Sequence, residues 1–303
     1  MSQSVSPMIG FVGLGAMGMG MVRSLLEAGL PVCGYDIRPS ALETLQAAGG
    51  LAATTVVEAA TNVDVFILMV VNAEQVETVL FGKSSDSSGG AVSVLKPDST
   101  VMLCSTVKPA YASELATRLE DHSLNMLDAP VSGGPLRAAD GTLSVMASGK
   151  PSVFDKVAVI LDAIAADVHR MGDECGLGST MKMINQLLAG VHIVTAAEAM
   201  AFGAKAGVDP HKIYDVISTS AGSSWMFQNR MPHVLEDDYT PLSAVNIWVK
   251  DLGIVLETGK DRFVNRLKKS FRILQPFWKK QVLHGNMPSK LLFSWKIWTT
   301  FPF

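Results

Sequence analysis

The chain has 303 residues, 48% of them hydrophobic and 17% charged, which is enough apolar surface for one large core or two modest ones and excludes disordered and fibrous classes. A formal net charge of −3 gives no general attraction to nucleic acid or to an anionic membrane. Cys33, Cys104 and Cys175 lie far apart and match no metal-ligand spacing, and Met1–Pro7 lacks the basic and apolar regions of a signal peptide. A reduced, cytoplasmic setting is therefore expected, with no disulfide framework and no apolar run near the ~18 residues of a membrane span.

Met8–Val12 reads as a strand and Gly18–Gly29 as a helix, joined by Gly13-Leu14-Gly15-Ala16-Met17-Gly18. This G-x-G-x-x-G leaves a strand and opens a helix, and Asp36 stands at the end of the next strand, Val32–Asp36. That context is what a dinucleotide-binding turn requires. Gly13 permits the tight turn, Gly15 lets backbone approach a pyrophosphate, and Gly18 lets the helix pack closely on the strand. The helix N-terminus adds amide donors and a positive dipole end. A carboxylate at Asp36 accepts hydrogen bonds from ribose hydroxyls and repels a 2′-phosphate, which favours NAD. Arg38, two residues on, is able to bind such a phosphate, so NADP is the lesser alternative.

A Pro39-initiated helix closes at Gly49-Gly50, and Val65–Val71 is a continuous apolar run suited to a strand buried on both faces. Thr100–Cys104 and Asn125–Asp128 are further strands, with helices near Ala73–Leu80 and Ala110–Glu120 between them. Ser84–Gly90 is a polar loop. Alternation of this kind predicts an α/β fold with a doubly wound, Rossmann-type parallel sheet. Beyond Gly172 the rhythm changes to helices alone: a long one from Gly178 to about Ala206, then Pro210–Ser220 and Leu242–Gly259. Lys182, His192 and Glu198 interrupt the long one, which argues for a buried helix over a membrane span. The predicted organisation is a dinucleotide-binding domain over residues 1–173, an all-helical domain over 174–260 and a separate stretch over 261–303.

Asp128–Gly134 follows a strand, so it lies at the carboxyl edge of the sheet, where open α/β sheets bind ligands. There Ser132 offers a hydroxyl, and Gly133 and Gly134 expose backbone amides suited to a carboxylate. Lys182 lies one turn into the long helix, and Asn185 and Gln186 at i+3 and i+4 share its face. An isolated lysine at a helix start is ordinarily a solvated charge, but Met181, Met183 and Ile184 give this one an apolar setting. The six histidines show no metal-ligand spacing. Trp225, Phe227 and Asn229 either pack a core or line a cleft, and core packing is the more common role of such aromatics.

Four ordered motifs carry a resemblance to the β-hydroxyacid dehydrogenase family: Gly13–Met21, Asp128-Ala129-Pro130-Val131-Ser132-Gly133-Gly134, Gly178-Ser179-Thr180-Met181-Lys182 with Asn185 and Gln186, and Lys250-Asp251-Leu252. Within that family, Arg137-Ala138-Ala139 and Gln186–Ile193 look most like the L-threonate (four-carbon acid sugar) 2-dehydrogenases. The resemblance implies hydride transfer between NAD and a small hydroxy or sugar acid, with Lys182 as general acid/base. It implies substrate contacts from Ser132, Gly133, Gly134, Arg137, Asn185 and Gln186. Gly13, Leu14, Gly15, Ala16, Met17, Gly18, Asp36, Thr106 and Lys250 are the implied cofactor contacts. Many relatives carry their catalytic-helix amide at i+4 from the lysine; that position is Gln186 here, preceded by Asn185, and which of the two orients substrate stays open. Relatives pair through their helical domains, implying a homo-oligomer. Reduction of a small semialdehyde or oxo acid such as glyoxylate is an alternative.

Removing hydride from an alcohol requires a base for the hydroxyl proton. A free lysine, with a pKa near ~10.4, serves poorly at neutral pH, whereas burial and an adjacent positive nicotinamide both disfavour its ammonium form. Arg137 departs from the small residue common in the family, and its planar fork suits a carboxylate or a polyhydroxylated chain.

Residues 261–303 hold nine Lys/Arg against one acid, a balance of +8, while residues 1–260 balance at −11; three of the five tryptophans also lie in that last stretch. The resemblance is expected to stop near Lys260. The tail then reads as an altered C-terminus that replaces closing helices and leaves a catalytically silent form possible.

Overall fold

The computed structural model describes residues 6–82, 89–238, 240 and 246–259. Strand β1 (Ile9–Val12) leads into α1 (Ala16–Glu27), then β2 (Val32–Tyr35), α2 (Pro39–Ala47), β3 (Leu51–Ala52) and α3 (Val56–Ala60). β4 (Val65–Leu68), α4 (Ala73–Phe81), β5 (Thr100–Leu103), α5 (Pro109–Asp121) and β6 (Asn125–Asp128) continue the alternation. Next come β7 (Val131–Ser132), α6 (Gly134–Ala139), β8 (Leu143–Ser148), α7 (Pro151–Ile164) and β9 (Ala165–Gly172). Helices α8 (Leu177–Lys205), α9 (Pro210–Ser218), α10 (Trp225–Leu235) and α11 (Asn246–Thr258) follow, with no strand among the described residues after β9.

The strands lie in the order β3-β2-β1-β4-β5-β6-β8-β7, with β9 on β8. From β3 to β6 every pairing is parallel. Alternate side chains enter two different cores, as the two-residue strand period dictates. Ile9, Phe11, Ile67 and Met102 join Met21, Leu25 and Val157 on one face, whereas Val12, Phe66, Leu68, Val101 and Leu103 join Val76, Leu80 and Leu115 on the other. The sheet is thus wound on both faces, as the apolar runs predict. It is not wholly parallel: β8 runs antiparallel to β6 and β7. The chain returns through Pro130, the two-residue strand β7 and the six-residue helix α6, pieces too short to stand out in the strand-helix rhythm.

The chain divides into two compact units, Met1–Met183 and Ile184–Phe303, with the border inside α8. In the second unit, Ala196 and Met200 of α8 meet Phe227 and Met231 of α10, and Phe227 stacks on Tyr214 with ring centroids 5.7 Å apart. Phe227 is therefore a core residue, whereas Trp225 of the same helix is exposed. Counted as a folded element, α8 is long and apolar enough to cross a membrane by length and composition alone. This corrects the expectation that no run nears that size. Core helices of globular proteins meet the same measure, and the first turn of α8 is hydrogen-bonded to the sheet. The expectations for Ser84–Gly90 (up to residue 88), for 242–245 and for 261–303 lie outside the described residues.

Candidate active site

The loops that follow β1, β2, β4, β5 and β6 all emerge at the carboxyl edge of the parallel strands. The chain order reverses between β1 and β4, the position at which open α/β sheets bind nucleotides. Gly13 turns there with φ +99°, and a side chain on it would strike the Met69 carbonyl. Gly15 is the N-cap of α1 and brings no side chain to its first turn. A Cβ built on Gly15 meets nothing within 4 Å, so the space in front of the Ala16, Met17 and Gly18 backbone is open. At Gly18, by contrast, a Cβ would overlap the Gly13 carbonyl oxygen. The two glycines serve different ends: Gly18 lets the helix close on its strand, and Gly15 leaves room for a ligand.

Asp36 follows β2 and is 9% exposed. Its Oδ2 accepts the Leu14 N–H at 2.8 Å, and its Oδ1 accepts the Arg38 backbone N–H and the Arg38 Nε–H, both at 2.9 Å. Arg38 also donates to the Leu14 carbonyl at 3.2 Å. Burial pushes the Asp36 carboxyl up, but the hydrogen bonds from Arg38 and Leu14 outweigh it and hold the group below its ordinary value. An ionised acceptor thus sits against the glycine loop, as a ribose-binding acid must. Together the open cradle and this carboxylate fit a dinucleotide. Thr106 lies beyond the end of β5, next to Ser105, whose hydroxyl accepts the Val70 N–H at 2.9 Å.

After β6 the chain passes through Ser132 to Gly133 and Gly134, which take φ values of +137° and +77°. Arg137, in the single short helix that follows, folds back on Gly133: a Cβ there would lie 2.9 Å from the Arg137 Cβ. Asp128, the last residue of β6, is fully buried. Its Oδ2 accepts the Gly176 and Ser179 N–H groups at 2.9 and 2.8 Å, and its Oδ1 accepts the Ser179 hydroxyl at 2.7 Å. Burial pushes the Asp128 carboxyl up, and the donors on Ser179, Gly176 and Ser148 work against that rise. Burial, helped by the Asp128 charge, likewise pushes the Cys175 thiol up to about 12.

Lys182 follows on the next turn of α8 and is 7% exposed, so it is not the solvated charge that a lone helix-start lysine ordinarily is. In the second unit, Asn185 donates to the Gln186 side-chain carbonyl at 3.0 Å, and Gln186 donates to Asp251. Asp251 in turn pairs with Lys250 at 2.8 Å. The two amides left open by the sequence thus form one chain of contacts, anchored on Asp251 of α11. Asp128, Ser179 and Asp251 were not among the expected site residues. Asp128 and Asp251 do open the Asp-Ala-Pro and close the Lys-Asp pairs of two motifs, and that was the available signal. Among the described residues no group of three or more His, Cys, Asp or Glu side chains is arranged to hold a metal ion.

An open amide cradle at the switch point, with an ionised acid behind it, fits a dinucleotide, and the family matches make the chain an oxidoreductase whose cofactor is NAD. Residues 8–172 match the family described as the NAD-binding domain of 6-phosphogluconate dehydrogenase. Residues 176–267 match the family described as NAD-binding of NADP-dependent 3-hydroxyisobutyrate dehydrogenase. The chain belongs to the 3-hydroxyisobutyrate dehydrogenase-like family and acts on a hydroxy- or oxo-acid. It is 51% identical to the L-threonate dehydrogenase of Cupriavidus necator over 252 residues, 83% of each chain. It is 50% identical to that of Escherichia coli K12 over 253 residues, 83% of this chain and 82% of the other. The crystal structure of a 3-hydroxyisobutyrate dehydrogenase from Salmonella typhimurium superposes with a TM-score of 0.78 at 51% identity, covering 84% of this chain and 87% of the other. The family match reaches residue 267 and so passes the Lys260 border expected from the sequence.

Proposed function

We propose that this protein oxidises C2 of a four-carbon sugar acid, of which L-threonate is the leading candidate, with Lys182 as general acid/base. The observation that carries the substrate is the identity of 48–51% to five L-threonate dehydrogenases. The burial of Lys182 at 7% exposure supports its role, since a base that takes a hydroxyl proton works best screened from bulk water. Gly13, Leu14, Gly15, Ala16, Met17 and Gly18 would hold the pyrophosphate of NAD, Asp36 its ribose, and Thr106 and Lys250 the remainder. Bound NAD supplies the hydride acceptor. Ser132, Gly133 and Gly134 bind the substrate carboxylate, Arg137 contacts its hydroxylated chain, and Asn185 and Gln186 orient the reacting hydroxyl. The Lys182 amine takes the hydroxyl proton as hydride leaves C2; in the reverse direction its ammonium protonates the ketone oxygen.

On this reading residues 1–173 bind the cofactor, and residues 174–260 complete the substrate site and pair copies of the chain. The three free thiols support a reducing, cytoplasmic setting. A second reading, oxidation of 3-hydroxyisobutyrate, is favoured by the 51% identity to the Salmonella typhimurium 3-hydroxyisobutyrate dehydrogenase. An NADH-absorbance assay with L-threonate, 3-hydroxyisobutyrate and glyoxylate, run beside Lys182→Ala, tests both. L-threonate should turn over fastest and Lys182→Ala should lose roughly 10²–10⁴ in kcat, the usual worth of a general base. A faster rate with 3-hydroxyisobutyrate selects the second reading, and an active Lys182→Ala removes the lysine from either.

A further inference from the structure

The carboxylate of Asp128 joins the two halves of the proposed chemistry. It ends β6, immediately before the segment that carries Ser132, Gly133 and Gly134, and it accepts one hydrogen bond from Gly176 and two from Ser179 in the first turn of α8, the helix that carries Lys182. Gly176, just before α8, has no side chain with which to cap the helix, so the acceptor for the Ser179 amide comes from the sheet instead. Ser148 at the end of β8 completes the clamp: its hydroxyl accepts the Gly178 N–H at 2.9 Å and donates to Asp128 Oδ2 at 3.3 Å. The helix is also seated hard against the strand, because a Cβ on Gly178 would lie 2.7 Å from the Asp128 carbonyl. An anion at a helix N-terminus is further favoured by the helix dipole. Lys182 lies three residues beyond Ser179, on the turn directly above this clamp.

We propose that Asp128 is a positioning residue, which through Ser179 sets where Lys182 stands relative to the Ser132–Gly134 segment. The proposal rests on the Lys182 reading. Asp128 touches neither reacting atom in this role; it limits the freedom of the turn that carries the amine. A carboxylate accepts from every donor in the clamp, whereas an amide of the same shape turns an N–H toward donors. A small displacement of a catalytic group is costly, about 10²-fold for ~1 Å.

The test compares Asp128→Asn, Ser179→Ala and Ser179→Thr with Leu119→Ala, a core substitution in α5 that destabilises the same unit without touching the clamp. kcat, KM for NAD and KM for the acid are measured together with the thermal midpoint, using the fastest substrate of the panel. Hydrogen exchange over residues 176–183 is read in the same proteins without any turnover. We expect kcat to fall roughly 10–100-fold in Asp128→Asn and less in Ser179→Ala. KM for NAD should stay within about twofold. Ser179→Thr, which keeps the hydroxyl, should recover the rate, and exchange should quicken over 176–183 in the two defective variants only. If Asp128→Asn does not fold, the Ser179→Ala and Ser179→Thr pair decides. Unchanged kcat or unchanged exchange in Ser179→Ala overturns the proposal, as does a Leu119→Ala loss of kcat as large as that of the clamp variants. Lys182→Ala separates the two levels: if it remains active the underlying reading fails, whereas an inactive Lys182→Ala beside an unaffected Ser179→Ala defeats the positioning role alone.

Discussion

The Nε–H of Arg38 donates to Asp36 Oδ1 at 2.9 Å, so the cation beside the proposed ribose site is held by the acid proposed to bind the ribose. Asp36→Ala should release Arg38 and remove the repulsion toward a 2′-phosphate. The ratio of kcat/KM with NADP to that with NAD should then rise by about tenfold or more, one charge-assisted hydrogen bond being worth about 1.5–3 kcal/mol. Steady-state assays with both cofactors check this, and an unchanged ratio would assign the preference elsewhere.

Gly15 and Gly18 should fail in opposite ways. Ala at position 15 enters open space on an extended backbone, so the fold should keep its thermal midpoint while NADH affinity drops about tenfold, ~1.4 kcal/mol. Ala at position 18 overlaps the Gly13 carbonyl and should cost about 1–3 kcal/mol of stability. Fluorescence titration with NADH and thermal unfolding of both variants separate the two effects.

Arg137 packs on Gly133, next to the amides assigned to the substrate carboxylate. Arg137→Ala should therefore weaken L-threonate more than 3-hydroxyisobutyrate, by roughly 10–100-fold if one charge-assisted hydrogen bond to the hydroxylated chain is lost. The ratio of the two kcat/KM values is the measurement, and no change in it would return Arg137 to a purely structural place in its helix.

Glu198 lies in the second half of α8, and its Oε1 is buried with no hydrogen-bond partner among the described residues. Burial raises its pKa from 4.5 to about 7. Between those two pH values the folded chain keeps a proton that the unfolded chain has released, so stability is full below the lower value and is lost as pH rises through the upper one. The thermal midpoint should fall from pH 4.5 to 7, and Glu198→Gln should flatten that fall. An identical slope in the variant would show that other groups set it.

The glycine turn and the acid beside it, the cofactor half of the candidate site, were legible because their signals are local. Gly13, Gly15, Gly18 and Asp36 stand at fixed spacings on a strand-turn-helix-strand unit, and such a unit admits few alternative shapes. Apolar runs likewise placed most of the strands and helices from β1 to β6. The antiparallel arm β7–β8 escaped notice: β7 has only two residues, and the six-residue β8 follows it through the short α6 without the long helix that marks a parallel crossover. The motif residue Asp128 was visible but its task was not: its partner Ser179 lies 51 residues away, and Gln186 lies 65 residues from Asp251.

What the amino-acid order determined alone is the local grammar: which stretches are strands, where the backbone must turn through a glycine, and which acid stands against that glycine turn. Folding decided the long-range pairings, because a buried carboxylate takes whichever donors the packed sheet brings within hydrogen-bond reach. Spacing along the chain holds no record of that distance. Hence a role could be proposed for Asp36 from its neighbours, while the hydrogen bonds of Asp128 exist only where β6, β8 and the first turn of α8 come together.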